Sequence, residues 1–342
     1  MGAEGLAFRA PFAFVTFLVL NQLAPGQDML HTLMQQALNA LQQGSIYALI
    51  ALGYCLVYGV LLLINFAHGD IFMVGAYVAF FIASMAMGKY GLLPAGIPKW
   101  AVLAATVPLT MLLTSGVGVL IERVAYRPLR LKGANRLYVV ITALMMGIIL
   151  EYGNLSILGA NRLSFPSLMP RMIFEPFGAR ITITELSAIV TCFAVFALLQ
   201  WIVTKTKLGM AMQAVSYDKF AVPLMGIPLD AVIVFTFFLG SSLAGLAGLL
   251  YALNFPVLDP FMGAMVGWKA FVAAVVGGIG DIRGAFVGGF LMAFLEVAVV
   301  AASDYVPFIK PEMRDLVSFS ALLIILTIKP TGIFGKPKTT KI

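Results

Sequence analysis

The sequence predicts an all-α integral membrane protein, a polytopic helical bundle of about 8–10 spans. Three observations carry that reading. The chain is 61% hydrophobic and only 11% charged, with a mean hydropathy of +1.00, where soluble domains carry roughly 25% charge. Apolar runs of span length recur along the whole chain. The basic residues gather in short segments between those runs, where they set orientation. No segment is long and polar enough for a second, soluble domain.

A bilayer core of about 30 Å needs roughly 20 apolar residues as helix. Residues 11–24 are apolar but short and follow Arg9. A signal-like segment, a short extra span, or sequence upstream of a true start at Met29 all fit them. Leu30–Gln43 is amphipathic and Gln-rich and leads into a first clear span at 45–64. A polar interruption, Asn65-Phe66-Ala67-His68-Gly69-Asp70, separates it from a run at 71–87. Further runs lie at 100–121, 137–158, 186–204 and 232–253. A shorter glycine-rich run at 268–279 precedes the last two, at 285–302 and 316–328.

Residues 122–136 hold Arg123, Arg127, Arg130, Lys132 and Arg136, which makes the segment cytoplasmic by the positive-inside rule. Alternation then puts 159–185 outside and 205–231, with Lys205, Lys207 and Lys219, inside. The tail carrying Lys329, Lys336, Lys338 and Lys341 is cytoplasmic if 268–279 crosses. Arg162, Arg171 and Arg180 in the outer segment are a partial exception, offset in part by Glu175 and Glu185.

The net charge of +7 is explained by these loops and not by a nucleic-acid surface. Cys55 and Cys192 lie in apolar runs as buried thiols, and with only His31 and His68 a His-based metal centre has little to build on. The chain has no G-x-x-x-x-G-K-[ST] loop for nucleotide phosphates, no G-x-S-x-G and no H-E-x-x-H. A conventional P-loop ATPase is excluded, and an enzyme has no constellation to work with.

Four groups of residues are functional candidates. In 205–231 a short helix is expected from about Leu208 to Val222, stopped by Pro223 and followed by a turn at Gly226 and Pro228. Met210, Ala214, Tyr217 and Ala221 fall on one face of it, as a contact for a soluble motor requires. The pattern alone favours an ordinary connecting loop with a helical turn. In 65–70, Asn65, His68 and Asp70 interrupt two apolar runs; such a break at membrane depth survives only inside protein or beside water. A translocation path, a hinge and a helix cap are all consistent with it. Gly277, Gly278, Gly280, Gly284, Gly288 and Gly289 form a glycine block in which 280, 284 and 288 would line one helix face, as would Gly240, Ala244 and Gly248. Small residues at that spacing bring membrane helices backbone to backbone. Glu151 and Glu296 lie within apolar runs, where an unpaired carboxylate is costly, and a buried hydrogen-bonding role is the expectation for both. Gly69-Asp70-Ile71 with Gly75-Ala76-Tyr77 echoes Gly280-Asp281-Ile282 with Gly284-Ala285-Phe286, which admits two structural repeats of undecided orientation.

Several of these segments resemble branched-chain amino acid permeases of the LivH type. They are QQALNALQQGSIYALIALGYCLVYGVLLLINFAHGDIFMVGAY at 35–77, FTFFLGSSLAGLAGLL at 235–250, AFVAAVVGGIGDIRGAFVGG at 270–289 and KPTGIFG at 329–335. The likeness covers nearly all of 30–335 and implies a division into an N-terminal extension (1–28), a permease domain (29–335) and a basic cytoplasmic tail (336–342). It implies ATPase coupling through Gly209, Ala211, Ala214, Asp218, Ala221, Gly226 and Ile227. Asn65, His68, Gly69, Asp70, Gly277, Gly278, Gly280 and Asp281 become candidates for the translocation path or its hinges. The implied partners are a homologous second permease, two cytoplasmic ABC ATPases and a periplasmic or lipid-anchored solute-binding protein in the bacterial inner membrane. This chain itself would bind no cofactor, ATP being used by the ATPases. Gln213 stands where the family usually carries arginine, leaving a charged contact to the motor missing or replaced. An ion-coupled secondary transporter working through Asp70, Asp281 or Glu296 is the alternative from another class, and urea, short amides or other amino acids are alternative cargoes.

Overall fold

The computed structural model describes residues 27–88, 97–170, 172–175, 178–303, 306 and 308–335. The apolar run at 11–24 and the basic tail 336–342 lie outside them. Twelve α-helices are described: α1 Gln27–Leu61, α2 His68–Ala86, α3 Lys99–Ile121, α4 Arg127–Leu131, α5 Arg136–Leu158, α6 Ile183–Lys205, α7 Lys207–Tyr217, α8 Ala221–Leu224, α9 Leu229–Asn254, α10 Met262–Gly277, α11 Ile282–Ser303 and α12 Met313–Ile328. A π-helical stretch, Glu122–Tyr126, joins α3 to α4.

Seven helices among the described residues are long and apolar enough to cross a membrane. Helices α10 and α12, with 16 residues each, reach about 24 Å at 1.5 Å per residue. The protein is thus an all-α polytopic membrane protein. The Gln-rich stretch 30–43 is no separate element: it forms the first turns of α1, continuous with the expected span.

Helix α1 is the hub. It packs against α9, α10 and α11, and α2 fills the space between α9, α10 and α3. Side chains and backbones from Ala48 to Leu52 are buried along α1, as are Gly240–Leu250 along α9. Small residues make that density attainable. A Cβ on Gly75 would lie 2.6 Å from the Gly245 Cα, and one on Gly289 would lie 2.5 Å from the Ala48 Cα. Helices α5 and α6 stand at the periphery and leave most of their surface uncovered.

Two small ladders brace one end of the bundle. β1 (Leu163–Ser164) pairs antiparallel with β4 (Val257–Leu258), and β2 (Ile173–Phe174) with β3 (Ile181–Thr182). Two of the arginines that were exceptions to the charge rule are paired here: Arg162 donates to Asp259 at 3.0 Å and Arg180 to Glu175 at 3.1 Å. Glu185 is otherwise engaged, closing a capping box with Thr182 at the start of α6.

Candidate functional site

The end of the bundle opposite the ladders gathers the basic loops. Helix α1 stops at Leu61, and Leu62 adopts a left-handed φ of 57°, a conformation uncommon outside glycine. The chain turns back through Asn65 before α2 begins at His68. Asn65 Oδ1 accepts from the Tyr126 hydroxyl at 2.7 Å. Arg130 donates to Glu122 at 3.0 Å and to Asp230 at 2.8 Å, and Arg127 donates to Asp230 at 3.2 Å. The basic loop is therefore fastened to the start of α9. Asn65, Glu122, Tyr126 and Arg130 border a cavity of about 210 Å³ that Leu61, Arg136, Lys219 and Phe237 also line.

The segment 205–231 differs from the expected single helix. Helix α7 ends at Tyr217, five residues short of Val222. Asp218 then turns its carboxylate onto the Phe220 and Ala221 N–H groups at 2.8 and 3.1 Å, capping a new short helix that contains Pro223. The carboxylate ends the helix by competing for backbone donors, and proline, which needs none in a first turn, is accommodated. Gly209 sits at the corner between α6 and α7, where a Cβ would meet the carbonyl oxygens of Ile202 and Val203. Ala211, Ala214 and Ile227 pack against the core, Ala221 is half-buried, and Gly226 turns the chain with φ +77°. The small residues thus face mainly inward. The outward face is made of Met210, Tyr217, Phe220, Leu224 and Met225, with Tyr217 and Phe220 each 91% exposed. Sequence periodicity found Met210 and Tyr217 but not Phe220 or Leu224, because the helix break at Asp218 shifts the register. Gln213, at the unusual position, donates to the Val203 carbonyl at 2.8 Å. Lys219 Nζ donates to the Leu61 carbonyl at 2.7 Å, tying this segment to the end of α1.

The glycine block lies at the same end. Gly278 and Gly280 have φ of +112° and +99°, so Gly280 precedes α11 and does not share a helix face with Gly284 and Gly288. Those two abut Gly277 and Ala273 of α10. Asp281 caps α11, accepting from Arg283 N at 2.9 Å and Gly284 N at 3.1 Å. The KPTGIFG segment closes over the loop: Ile333 N and Phe334 N donate to the Val276 and Gly277 carbonyls, each at 2.9 Å.

The two echoing motifs diverge in role. Asp281 is a cap, whereas Asp70, in the first turn of α2, lines a second cavity of about 230 Å³ with Glu151, Tyr54 and Trp268. Gly69 lies against Gly263 and Gly267 of α10. His68 is fully buried, edge-on to Tyr54 at 4.7 Å, in space that Gly53 leaves open.

Glu296, 1% exposed, has the hydrogen-bonding role expected of it, with partners remote in sequence. It accepts from Gln43 at 2.7 Å, Tyr47 at 2.9 Å and Ser318 at 3.3 Å. Lys269 lies 3.2 Å away and also meets Asp315 at 2.6 Å. Lys269 went unnoticed in the sequence because it is a single charge in an apolar helix and its partners are on α11 and α12.

A tightly packed apolar bundle with a basic end and an exposed helical segment fastened to that end fits a transport permease. A family profile described as branched-chain amino acid transport system / permease component matches residues 36–326. The high-affinity branched-chain amino acid transport system permease protein LivH of Salmonella typhimurium is 38% identical over 315 residues, 90% of this chain and 97% of that protein. BraD of Pseudomonas aeruginosa is likewise 38% identical over 90% of this chain and 98% of its own length. A probable LivH of the archaeon Methanocaldococcus jannaschii is 26% identical over 308 residues, 86% of this chain and 90% of its own. The chain belongs to the branched-chain amino acid permease family.

Proposed function

We propose that the chain is the membrane-spanning permease subunit of an ABC importer that moves branched-chain amino acids across the bacterial inner membrane. The observation that carries the reading is family membership across nearly the full length of the chain, joined to an exposed apolar rim on α7 and α8 beside the basic end of the bundle. By the positive-inside rule that end, with residue 335, faces the cytoplasm. The rim then meets an ATPase subunit. ATP is bound and hydrolysed there, on partner chains, and this chain holds no cofactor. Movement of the rim reaches α1 through Lys219 and the Leu61 carbonyl, and the break at 62–67 through Asn65 and Tyr126. The apolar faces of α5 and α6 serve lipid and a homologous second permease. A periplasmic or lipid-anchored binding protein delivers cargo at the ladder end.

The test is uptake of radiolabelled leucine into proteoliposomes holding the chain with its second permease, two ATPases and binding protein. Uptake that requires ATP supports the reading. Uptake by this chain alone, driven by a proton or sodium gradient, refutes it in favour of an ion-coupled carrier, and uptake of urea or short amides in place of leucine refutes the cargo.

A further inference from the structure

We propose that the cavity between α2, α5 and α10 receives the ammonium group of the transported amino acid, with Asp70 and Glu151 as its counter-charges; this rests on the importer reading above. Asp70 is 7% exposed, and its Oδ1 accepts no hydrogen bond among the described residues. A buried carboxylate oxygen without a donor is costly in apolar surroundings and calls for a cationic or hydrogen-bonding partner. The Asp70 side chain borders a cavity of about 230 Å³, and none of the described residues that line it is basic. Glu151, on α5, adds a second acidic residue to the lining. Two glycines hold the space around the Asp70 oxygens open. A Cβ on Gly263 would lie 2.7 Å from Oδ1, and one on Gly147 would crowd Oδ2.

The rest of the lining narrows the ligand. Tyr54, Phe66 and Trp268 supply aromatic rings, with Phe66 and Trp268 5.4 Å apart, and ring faces attract organic cations. Leu144 and Ile148 offer an apolar wall to a short aliphatic chain. Two carboxylates among aromatic rings make a poor cage for a hard metal ion, which takes six or more oxygens when it is calcium-like. Among the described residues no group of three acidic, His or Cys side chains could hold a metal. An ammonium carrying a small apolar tail satisfies every surface present, and its carboxylate end would point away from the two acids.

The experiment uses the assembled importer without its binding protein, with Ala264→Cys in the cavity lining as a reporter labelled by a fluorescent maleimide; native Cys55 and Cys192 are buried. Leucine at about ten times its dissociation constant should slow labelling about tenfold, and 3-methylbutylamine should also protect. The deaminated analogue 4-methyl-2-oxopentanoate should not. Asp70→Asn and Glu151→Gln should each remove the protection; if Asp70→Asn does not assemble, the half-buried Glu151→Gln carries the same expectation. Absence of protection by leucine, equal protection by the oxo acid or by sodium ion alone, or full protection in the Glu151→Gln protein would overturn the proposal. Leucine uptake by the wild-type importer, measured beside it, separates this failure from failure of the importer reading.

Discussion

Replacing Lys269 with methionine should expose how the last two helices are held. Lys269 Nζ sits 3.2 Å from Glu296 Oε1 and 2.6 Å from Asp315, and is 9% exposed. Removing one member of a buried ion pair costs about 3–5 kcal/mol, because the other charge is stranded. Glu296 would keep three neutral donors, Gln43, Tyr47 and Ser318, so the loss should fall near the low end, about 3 kcal/mol. Glu296→Gln is the milder change. It leaves Lys269 its contact with the more exposed Asp315, and about 1–2 kcal/mol is expected, the scale of a charged hydrogen bond. In the double variant neither charge is stranded, so the two losses should not add, with a coupling of about 2 kcal/mol. The measurement is denaturant unfolding in detergent micelles across the four-member cycle. Additivity within about 0.5 kcal/mol would mean that the pair does not interact as the geometry requires.

Other perturbations probe the opposite end. Tyr217→Ser with Phe220→Ser should leave the fold intact, since both side chains are exposed, yet weaken ATPase co-purification by about tenfold or more if they act as aromatic anchors; unchanged binding would remove the rim from the interface. Gly209→Trp should abolish coupling by wrecking the α6–α7 corner, and Ala214→Trp should lower ATP-driven uptake from its core-facing position; uptake untouched by both would sink the coupling assignment. Lys219→Met should uncouple hydrolysis from uptake without blocking ATPase binding, read as futile ATP turnover in proteoliposomes. Gly278→Ala should destabilise by about 1–2 kcal/mol from its positive φ alone, more where the Cβ meets the Gly335 backbone, with the shift seen in thermal unfolding.

Much of the fold was legible because spans are written in long apolar runs. Each expected run, from 45–64 to 316–328, is a helix, mostly displaced by a few residues at its ends. What composition could not show was pairing across the sequence. Lys269 reads as a lone charge until α10, α11 and α12 are packed, and Lys219 reads as one more basic loop residue until it meets Leu61. The expected helix through 208–222 erred for a local reason: its apolar spacing continues across Asp218, but the carboxylate captures the Phe220 and Ala221 N–H groups. Gly280 misled similarly, since a four-residue spacing says nothing about where the helix begins, and a φ of +99° lies outside it. Asp70 and Asp281, twins in sequence, differ because only one has amide groups within reach of its carboxylate.

The clasp of Ile333 and Phe334 on Val276 and Gly277 has a bearing on biogenesis. Its two halves leave the ribosome at different times, with all of α11 and α12 made in between. The Val276 and Gly277 carbonyls at the end of α10 must wait for these donors until that later stretch arrives. Insertion of the helices can proceed one by one, but sealing of this face is a late event, and a nascent chain halted after α12 would present an open seam to quality-control proteases.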